Sequence, residues 1–442
     1  MKLKLKFALI LVALSGGSQM RAADVFDFGS APEGIVAATP KNTELGQKAL
    51  SYFNDDYFSQ GRILFNSRLR FEHVDTTGLS SANAVTLRTR IGYETPKYYG
   101  IYGAAEFENT WSLNSGDYRQ YPGDPTPAGG AVIPDPRNNE LNQLYLGYSG
   151  FNSDLKGGRQ IINLDNQRFV GAVAWRQNDQ TFDAVRLTTE VVQDFWLSYA
   201  YNWQVNRIFG DSVTPPNSNF RRFDSQNHFV NVHYTGLPVG ELGAYFYYLD
   251  LGGGTAAISG NTAGLFYDGA VKIDDDWSVP FRAEYAYQFG NGQGPNFSAN
   301  YFHLFGAAKY QKYQLGIGFE SLGSAGGGRA FQTPLATLHK FNGWADVFLT
   351  TPPAGLRDYY VSLSAGLPEG FGLSGAFHYF TGESSAMQYG TELDFGVSYQ
   401  FNENLTGLVK LGSYWGASNT SPGAAATQRD VLKCWVQLDF KL

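Results

Sequence analysis

The chain has 442 residues with a formal net charge of −7, and aromatic residues make up 16% of it beside 52 glycines and a single cysteine. The acidic balance argues against nucleic-acid binding, and one cysteine excludes an internal disulfide. Abundant Tyr, Phe and Gly are typical of strands with aromatic girdles and tight turns, which favours one large barrel over several domains.

The first residues predict a cleavable export signal. Lys2, Lys4 and Lys6 form a basic start, and the apolar run at residues 7–14 is too short to cross a bilayer as a helix. We therefore predict a signal peptide at residues 1–23, followed by a periplasmic N-terminal segment at residues 24–60 with a weak helical patch at residues 45–52. No later window offers about 18 consecutive apolar residues, so only strands could span a membrane.

Residues 61–442 predict one all-β domain, a transmembrane antiparallel β-barrel. Runs of about ten residues alternate between apolar and polar side chains, as in outer-membrane strands. In the first run Leu69 and Phe71 face one side while Arg68 and Arg70 face the other, because strand side chains alternate with period two. The connections alternate between short and long, which indicates short periplasmic turns and long external loops.

The strand count decides how one apolar stretch is interpreted. Counting residues 341–349 as a strand gives an odd number, whereas a bacterial barrel with both termini in the periplasm needs an even one. We therefore interpret residues 321–355 as one long external loop and predict about 18 strands. Such a long apolar loop is expected to fold into the barrel, where Trp344 and Asp346 become candidate gating residues.

Basic side chains recur at positions predicted to line the lumen. They are Arg68, Arg70, Arg88, Arg90, Arg186 and Arg282 on strands, with Arg168 and Arg176 on a loop. Arginine forms bidentate hydrogen bonds with carboxylates, and rings of arginine favour anions in a pore. The alternative is that these arginines pair with the lumen carboxylates and brace the wall. The candidate partners are Glu106, Glu108, Glu284 and Glu392.

Sequence motifs for catalysis or metal binding are absent. The six histidines are scattered without HExxH spacing, and no GxSxG motif occurs. His228 and His233 are predicted to lie on opposite faces of one strand. We therefore predict no catalytic residue, no metal site and no cofactor. A barrel enzyme or an adhesin stays open as the less favoured reading.

Two segments resemble the alginate-export family of outer-membrane porins. The matching positions in residues 158–187 are Gly158, Arg159, Gln160, Gln167, Arg168, Gly171, Trp175, Gln177, Asn178, Thr181, Phe182, Asp183, Val185 and Arg186. Those in residues 339–359 are Gly343, Trp344, Ala345, Asp346, Gly355, Leu356 and Asp358. The resemblance implies a basic, constricted lumen that exports an anionic polysaccharide. It also implies Arg159, Arg168, Arg176 and Arg186 near the constriction, with Asp346 in the in-folded loop.

The expected function is passage of a solute across the outer membrane after Sec-type export. The solute is an anionic polysaccharide or a small anion, and periplasmic export components are possible partners alongside outer-membrane lipid. The alternating segment at residues 435–442 resembles the C-terminal signal read by the barrel-assembly machinery, although Leu442 replaces the usual aromatic residue. A general porin for nutrient uptake is the alternative.

Overall fold

The computed structural model describes residues 43–50, 58–211, 219–252, 255, 257–292, 296–326, 328–384, 387–418 and 425–442. The predicted signal peptide lies outside these residues, as does most of the predicted N-terminal segment. Within that segment, helix α1 spans Glu44–Leu50. Thr43 just before it accepts a hydrogen bond from Asn404 Nδ2 (2.9 Å). Of the helices in the described part of the chain, none is long and apolar enough to cross a membrane.

Eighteen antiparallel strands form one closed barrel among the described residues. They are β1 Arg62–Thr76, β2 Ala82–Glu94, β3 Ile101–Ser112, β4 Asn138–Gly150, β5 Ser153–Gln160, β6 Thr181–Val192, β7 Phe195–Asn206, β8 Arg222–Tyr234, β9 Glu241–Leu249, β10 Gly260–Lys272, β11 Trp277–Phe289, β12 Ser298–Tyr310, β13 Tyr313–Leu322, β16 Leu356–Gly366, β17 Phe371–Thr381, β18 Gln388–Gln400, β19 Leu405–Gly416 and β20 Val431–Lys441. The remaining strands, β14 Ser324–Gly326 and β15 Arg329–Ala330, form a small separate hairpin. Short 3-10 turns occupy Phe58–Gln60, Leu338–Lys340, Pro368–Gly370 and Ala425–Gln428. Pairing of β1 with β20 closes the barrel.

The alternation of side chains places an apolar face outside and a polar face inside. On β1, Leu69 and Phe71 are 43% and 38% exposed. Arg70, which lies between them, and Glu72, which follows Phe71, are fully buried. Apolar atoms on the outer face contact lipid, and the charged groups lie in the lumen where they find partners. The period-two prediction for this strand is therefore confirmed.

The long connection between β13 and β16 does not add a strand to the barrel. It runs through residues 323–355 and contains the small hairpin and one 3-10 turn, which confirms the even strand count. We call these residues loop B. A second long connection, residues 161–180 between β5 and β6, is called loop A. Both leave the barrel at its extracellular end, and both turn back into the lumen.

Candidate functional site

Loops A and B meet inside the barrel and pair with each other. Val170 of loop A and Leu335 of loop B form an isolated parallel β-bridge. Gly171 N donates to Leu335 O (2.9 Å), and Thr337 N donates to Gln167 O (3.1 Å). Both Val170 and Leu335 are buried. The two loops therefore share a backbone interface as well as the lumen.

Buried polar contacts anchor loop A to distant parts of the wall. Asp165 lies 3.0 Å from His233 Nε2 on β8. Arg168 Nε donates to Glu320 Oε1 on β13 (2.7 Å), and both side chains are almost completely buried. If loop A left the lumen, each of these contacts would break and leave a buried charge on the wall without its partner, which is costly. Each anchor therefore strongly favours the inward position of the loop. Loop A thus crosses the lumen from β5 and β6 to the opposite side.

Loop B lies directly against the wall formed by β18 and β19. Trp344 N donates to Asp394 Oδ2 (3.1 Å), and Ala345 N donates to Glu392 Oε1 (2.6 Å). Gly343 has φ of +85°, and a Cβ added there would lie 2.3 Å from Glu392 Oε2. Glycine is needed at this position because the backbone is left-handed and approaches the wall too closely for a side chain.

Asp346 connects loop A, loop B and the barrel wall. Its carboxylate lies 2.9 Å from Arg176 Nη2 of loop A, 2.8 Å from Lys433 Nζ on β20 and 2.8 Å from His339 Nδ1 of loop B. Burial alone would raise the pKa of Asp346, but His339, Lys433 and Arg176 outweigh burial and hold this pKa well below its usual range. Asp346 therefore acts as an ionised carboxylate shared by three donors.

Lys410 on β19 occupies a cage of aromatic rings. Its Nζ atom lies 3.6 Å from the ring centroid of Trp344, 4.2 Å from that of Trp175 and 5.6 Å from that of Trp435. The same atom lies 2.7 Å from His339 Nε2. An ammonium has only donors, so His339 Nε2 must be unprotonated and Nδ1 must donate to Asp346. This arrangement fixes the neutral tautomer of His339.

The pKa of His339 is lowered well below its ordinary value. Burial is the largest cause, and the positive charges of Lys410 and Arg176 add to it, while Asp346 opposes them. The docked histidine is therefore neutral at pH values at which a histidine in water binds a proton.

We expect the docked arrangement of loop B to weaken as the pH falls below about 6.5, the ordinary pKa of histidine. His339 takes up a proton when the loop is undocked but not when it is docked. Acid therefore favours undocking, by up to about 1.4 kcal/mol per pH unit. Asp346, with its depressed pKa, adds to this loss only below about pH 4.

Single-channel conductance recorded across this pH range measures the effect. We expect conductance to rise in acid, and we expect His339→Gln to abolish the rise because an amide donates to Asp346 and accepts from Lys410 without titrating. A conductance that is the same in neutral and acidic buffer would rule out this linkage.

Seven of the nine predicted arginines have a carboxylate partner. The pairs are Arg68 with Asp439, Arg70 with Asp135, Arg90 with Glu108 and Asp179, Arg159 with Asp183, Arg168 with Glu320, Arg176 with Glu72 and Asp346, and Arg282 with Asp268 and Glu284. Most of these arginines therefore brace the wall or hold a loop. Of the four predicted partners, Glu108 and Glu284 pair with arginine, Glu106 accepts from Asn142, and Glu392 accepts from loop B.

Arg159 lies away from the other predicted residues. It shares the outward-facing register of β5 with Leu155 and stands opposite Leu144 on β4, and both leucines are exposed. Its guanidinium makes two hydrogen bonds with Asp183 (2.7 and 3.1 Å) at the extracellular end of the barrel. The structure therefore places Arg159 on the outer face instead of at the predicted constriction.

Two predicted arginines have no ion pair with a carboxylate in the described part of the chain. Arg88 is 2% exposed and donates to Asn66 Oδ1. Arg186 is half-buried, and its Nε donates to Ser198 Oγ (3.2 Å). These two guanidinium groups keep hydrogen-bonding capacity that the fold does not use.

Sequence reasoning missed several lysines of the lumen. Lys156 on β5 stands directly opposite Arg186 on β6, and its Nζ atom lies 4.4 Å from the ring centroid of Tyr145. Lys410 and Lys433 also face inward. Each is a charged residue between outward-facing neighbours, the same signal that singled out the arginines. Across the described ranges, no group of three His, Cys, Asp or Glu side chains is arranged to hold a metal ion.

Three solved structures show the fold that this chain shares. OccAB2 of Acinetobacter baumannii has a TM-score of 0.67 and 14% identity over 88% of this chain and 100% of its own. OpdQ of Pseudomonas aeruginosa has a TM-score of 0.65 and 12% identity over 87% of this chain and 99% of its own. OccAB4 of A. baumannii has a TM-score of 0.65 and 12% identity over 86% and 97%. Among curated proteins, none matches the chain.

The family model described as alginate export matches residues 68–317, which is more than half of the chain. This match covers strands β2 to β12 and loop A. The chain therefore belongs to the alginate-export family of bacterial outer-membrane β-barrel channels.

Proposed function

We propose that this outer-membrane channel favours anionic solutes. The observation that carries the proposal is the pair of Lys156 and Arg186, which stand opposite each other on the lumen face of β5 and β6. Neither forms an ion pair with a carboxylate of the described residues. Asp154 and Glu94 attract Lys156, and Asp154 attracts Arg186, but only from beyond ion-pair distance. A passing anion would give the two cations the direct partner that they lack.

The exposure of lumen side chains supports a path along β5 and β6. Arg70 on β1, Glu392 on β18 and Trp435 on β20 have no exposed surface, because loops A and B cover that side of the lumen. Lys156 and Arg186 are only half-buried. A solute that passes the loops would therefore meet these two cations, and the guanidinium of Arg186 could bind a carboxylate through two hydrogen bonds.

A double substitution tests this role. We expect Lys156→Gln with Arg186→Gln to lower the anion-to-cation permeability ratio by roughly threefold or more, since each charge contributes on the order of 1 kcal/mol at short range. The ratio is measured from reversal potentials of the purified barrel in a planar bilayer with a KCl gradient.

The matched control is Arg222→Gln. Arg222 lies at the extracellular end of β8, is 54% exposed at its side chain and pairs with Asp224 (3.1 Å), so its loss leaves the lumen unchanged. An unchanged ratio in the double variant, or an equal drop in the control, would count against anion binding by the pair.

Uptake of small anionic nutrients is a second candidate within the same proposal. It is supported by the two loops in the lumen, because a polymer needs a wider continuous path than a small carboxylate. Membership of the alginate-export family instead supports passage of an anionic polymer. Swelling of liposomes in small carboxylates without block by polyuronate would favour uptake, whereas block by polyuronate would favour polymer passage.

A further inference from the structure

Loops A and B are tied to the wall at shared points. At the first, Asp346 of loop B binds Arg176 of loop A (2.9 Å) and Lys433 of the wall (2.8 Å). At the second, the wall residue Lys410 contacts one ring from each loop, Trp175 of loop A and Trp344 of loop B. Each point therefore holds both loops at once.

We propose that loops A and B move as one unit and form a single gate. Asp346 and Lys410, together called the clasp, hold this gate inside the lumen. In this arrangement Asp346 and Lys410 are positioning residues, because they act through the loops and not on the solute. The proposal concerns how the passage opens and is independent of which ion the channel prefers.

The shared backbone interface supports movement as a unit. The parallel bridge between Val170 and Leu335 is extended by Gln180 Nε2, which donates to Gly171 O (2.8 Å) and Leu335 O (3.1 Å). All of these groups are buried. Separating the loops would break these hydrogen bonds, and any of the groups that stayed buried would be left without a partner, which is costly.

Ring stacking adds a second interface between the loops. Trp175 of loop A stacks on His339 of loop B with centroids 4.4 Å apart and an angle of 7° between the ring planes. Lys410 contacts both rings from the wall side. An ammonium over a desolvated tryptophan face contributes substantially to binding. Loss of this one wall cation therefore loosens both loops together.

Loop A also has an anchor that does not involve loop B, and it defines the alternative of two independent loops. Asp165 contacts His233 on β8, whereas Arg168 contacts Glu320 on β13 and also Thr333 and Asn342 of loop B. If the loops moved independently, loop A would stay in the lumen when the clasp of loop B is broken. Conductance would then rise only to the extent that the space vacated by loop B widens the passage.

The test uses Asp346→Asn and Lys410→Met in the full-length barrel. Asparagine fits the backbone at position 346, where φ is +56°. We expect each variant to raise single-channel conductance at least twofold, and we expect the double variant to exceed the larger single effect by little, since one gate is released. Asp211→Asn, in the extracellular connection after β7 with an exposed side chain, is the control and should conduct like the wild type.

A disulfide between the loops distinguishes one gate from two. In a Cys434→Ala background with Val170→Cys and Leu335→Cys, oxidation should leave conductance and spontaneous closures unchanged, because loops that already move together lose no freedom. Reduction with dithiothreitol provides the matched comparison. Closures that are abolished by oxidation would overturn the proposal.

Folding is checked independently by the heat-dependent gel mobility of the barrel. If Asp346→Asn fails to fold, Lys410→Met and the disulfide pair still give the answer. Wild-type conductance in both folded clasp variants would also overturn the proposal. All of these measurements read conductance, so they stand even if the reversal potential shows no preference for anions.

Discussion

Replacing Arg168 by methionine is expected to lower the free energy of unfolding by about 3–5 kcal/mol, the usual cost of breaking one partner out of a buried ion pair. The change leaves the carboxylate of Glu320 buried opposite an apolar side chain. Asn342 and Thr333, which also contact the guanidinium (3.1 and 3.3 Å), lose a donor as well. The measurement is equilibrium unfolding in urea followed by tryptophan fluorescence.

The double variant Arg168→Met with Glu320→Gln separates charge from packing. A neutral amide can still accept from Tyr301 OH, which lies 2.7 Å from the carboxylate in the parent protein. We expect the double variant to recover most of the lost stability. If Arg168→Met alone were as stable as the parent but conducted anions poorly, Arg168 would be a solute ligand and its role as an anchor of loop A would be wrong.

Substituting Gly343 by alanine is expected to undock loop B from the wall. The left-handed backbone at this position costs a non-glycine residue about 1–2 kcal/mol, and the added Cβ would lie 2.3 Å from Glu392 Oε2. The clashing atoms belong to the end of the Glu392 side chain, so relief of the clash moves either loop B or the carboxylate that accepts from Ala345 N (2.6 Å). Conductance should rise, and proteases should cleave loop B more readily.

Gly292→Ala is the matched control for this prediction. Gly292 has φ of +84°, nearly the same as Gly343, but a Cβ there would meet no atom of the described residues within 4 Å. The control therefore carries the backbone strain without the clash. Equal conductance and equal protease sensitivity in the two variants would mean that loop B does not depend on its close approach to the wall.

The barrel itself could be predicted from the sequence because its signals are local. Alternation along β1 predicted which side chains face lipid, and the need for an even strand count placed residues 321–355 in a loop, which the structure has at residues 323–355. Both arguments use only neighbouring residues and the position of the termini. Trp344 and Asp346 were predicted as gating residues on the same basis, and the structure places both in loop B inside the barrel.

The partners of the lumen arginines could not be predicted in this way. Arg68 and Asp439 are 371 positions apart, and Arg168 and Glu320 are 152 apart. Such pairs meet only because the barrel closes and the loops fold inward, so alternation shows that a charge faces the lumen but not what it contacts. For this reason the sequence could not decide whether the lumen arginines brace the wall or bind anions. It also could not predict the aromatic cage around Lys410.

Arg159 shows a limit of the resemblance to a family. The family motif that contains Arg159 predicted a position near the constriction, whereas the register of β5 turns this side chain outward beside Leu155. Lys156, three positions earlier and without a motif, faces inward. The register of a short strand with two glycines is fixed by its neighbours β4 and β6, and these pairings are not encoded within the strand itself.

The most direct test of anion preference is the reversal potential of the wild-type barrel in a planar bilayer separating dilute from concentrated KCl. We predict a reversal potential with the same sign as the equilibrium potential of chloride. In the Lys156→Gln and Arg186→Gln double variant it should shift clearly toward zero. A reversal potential of the sign set by potassium, unchanged in that variant, would contradict the proposal that the lumen favours anions.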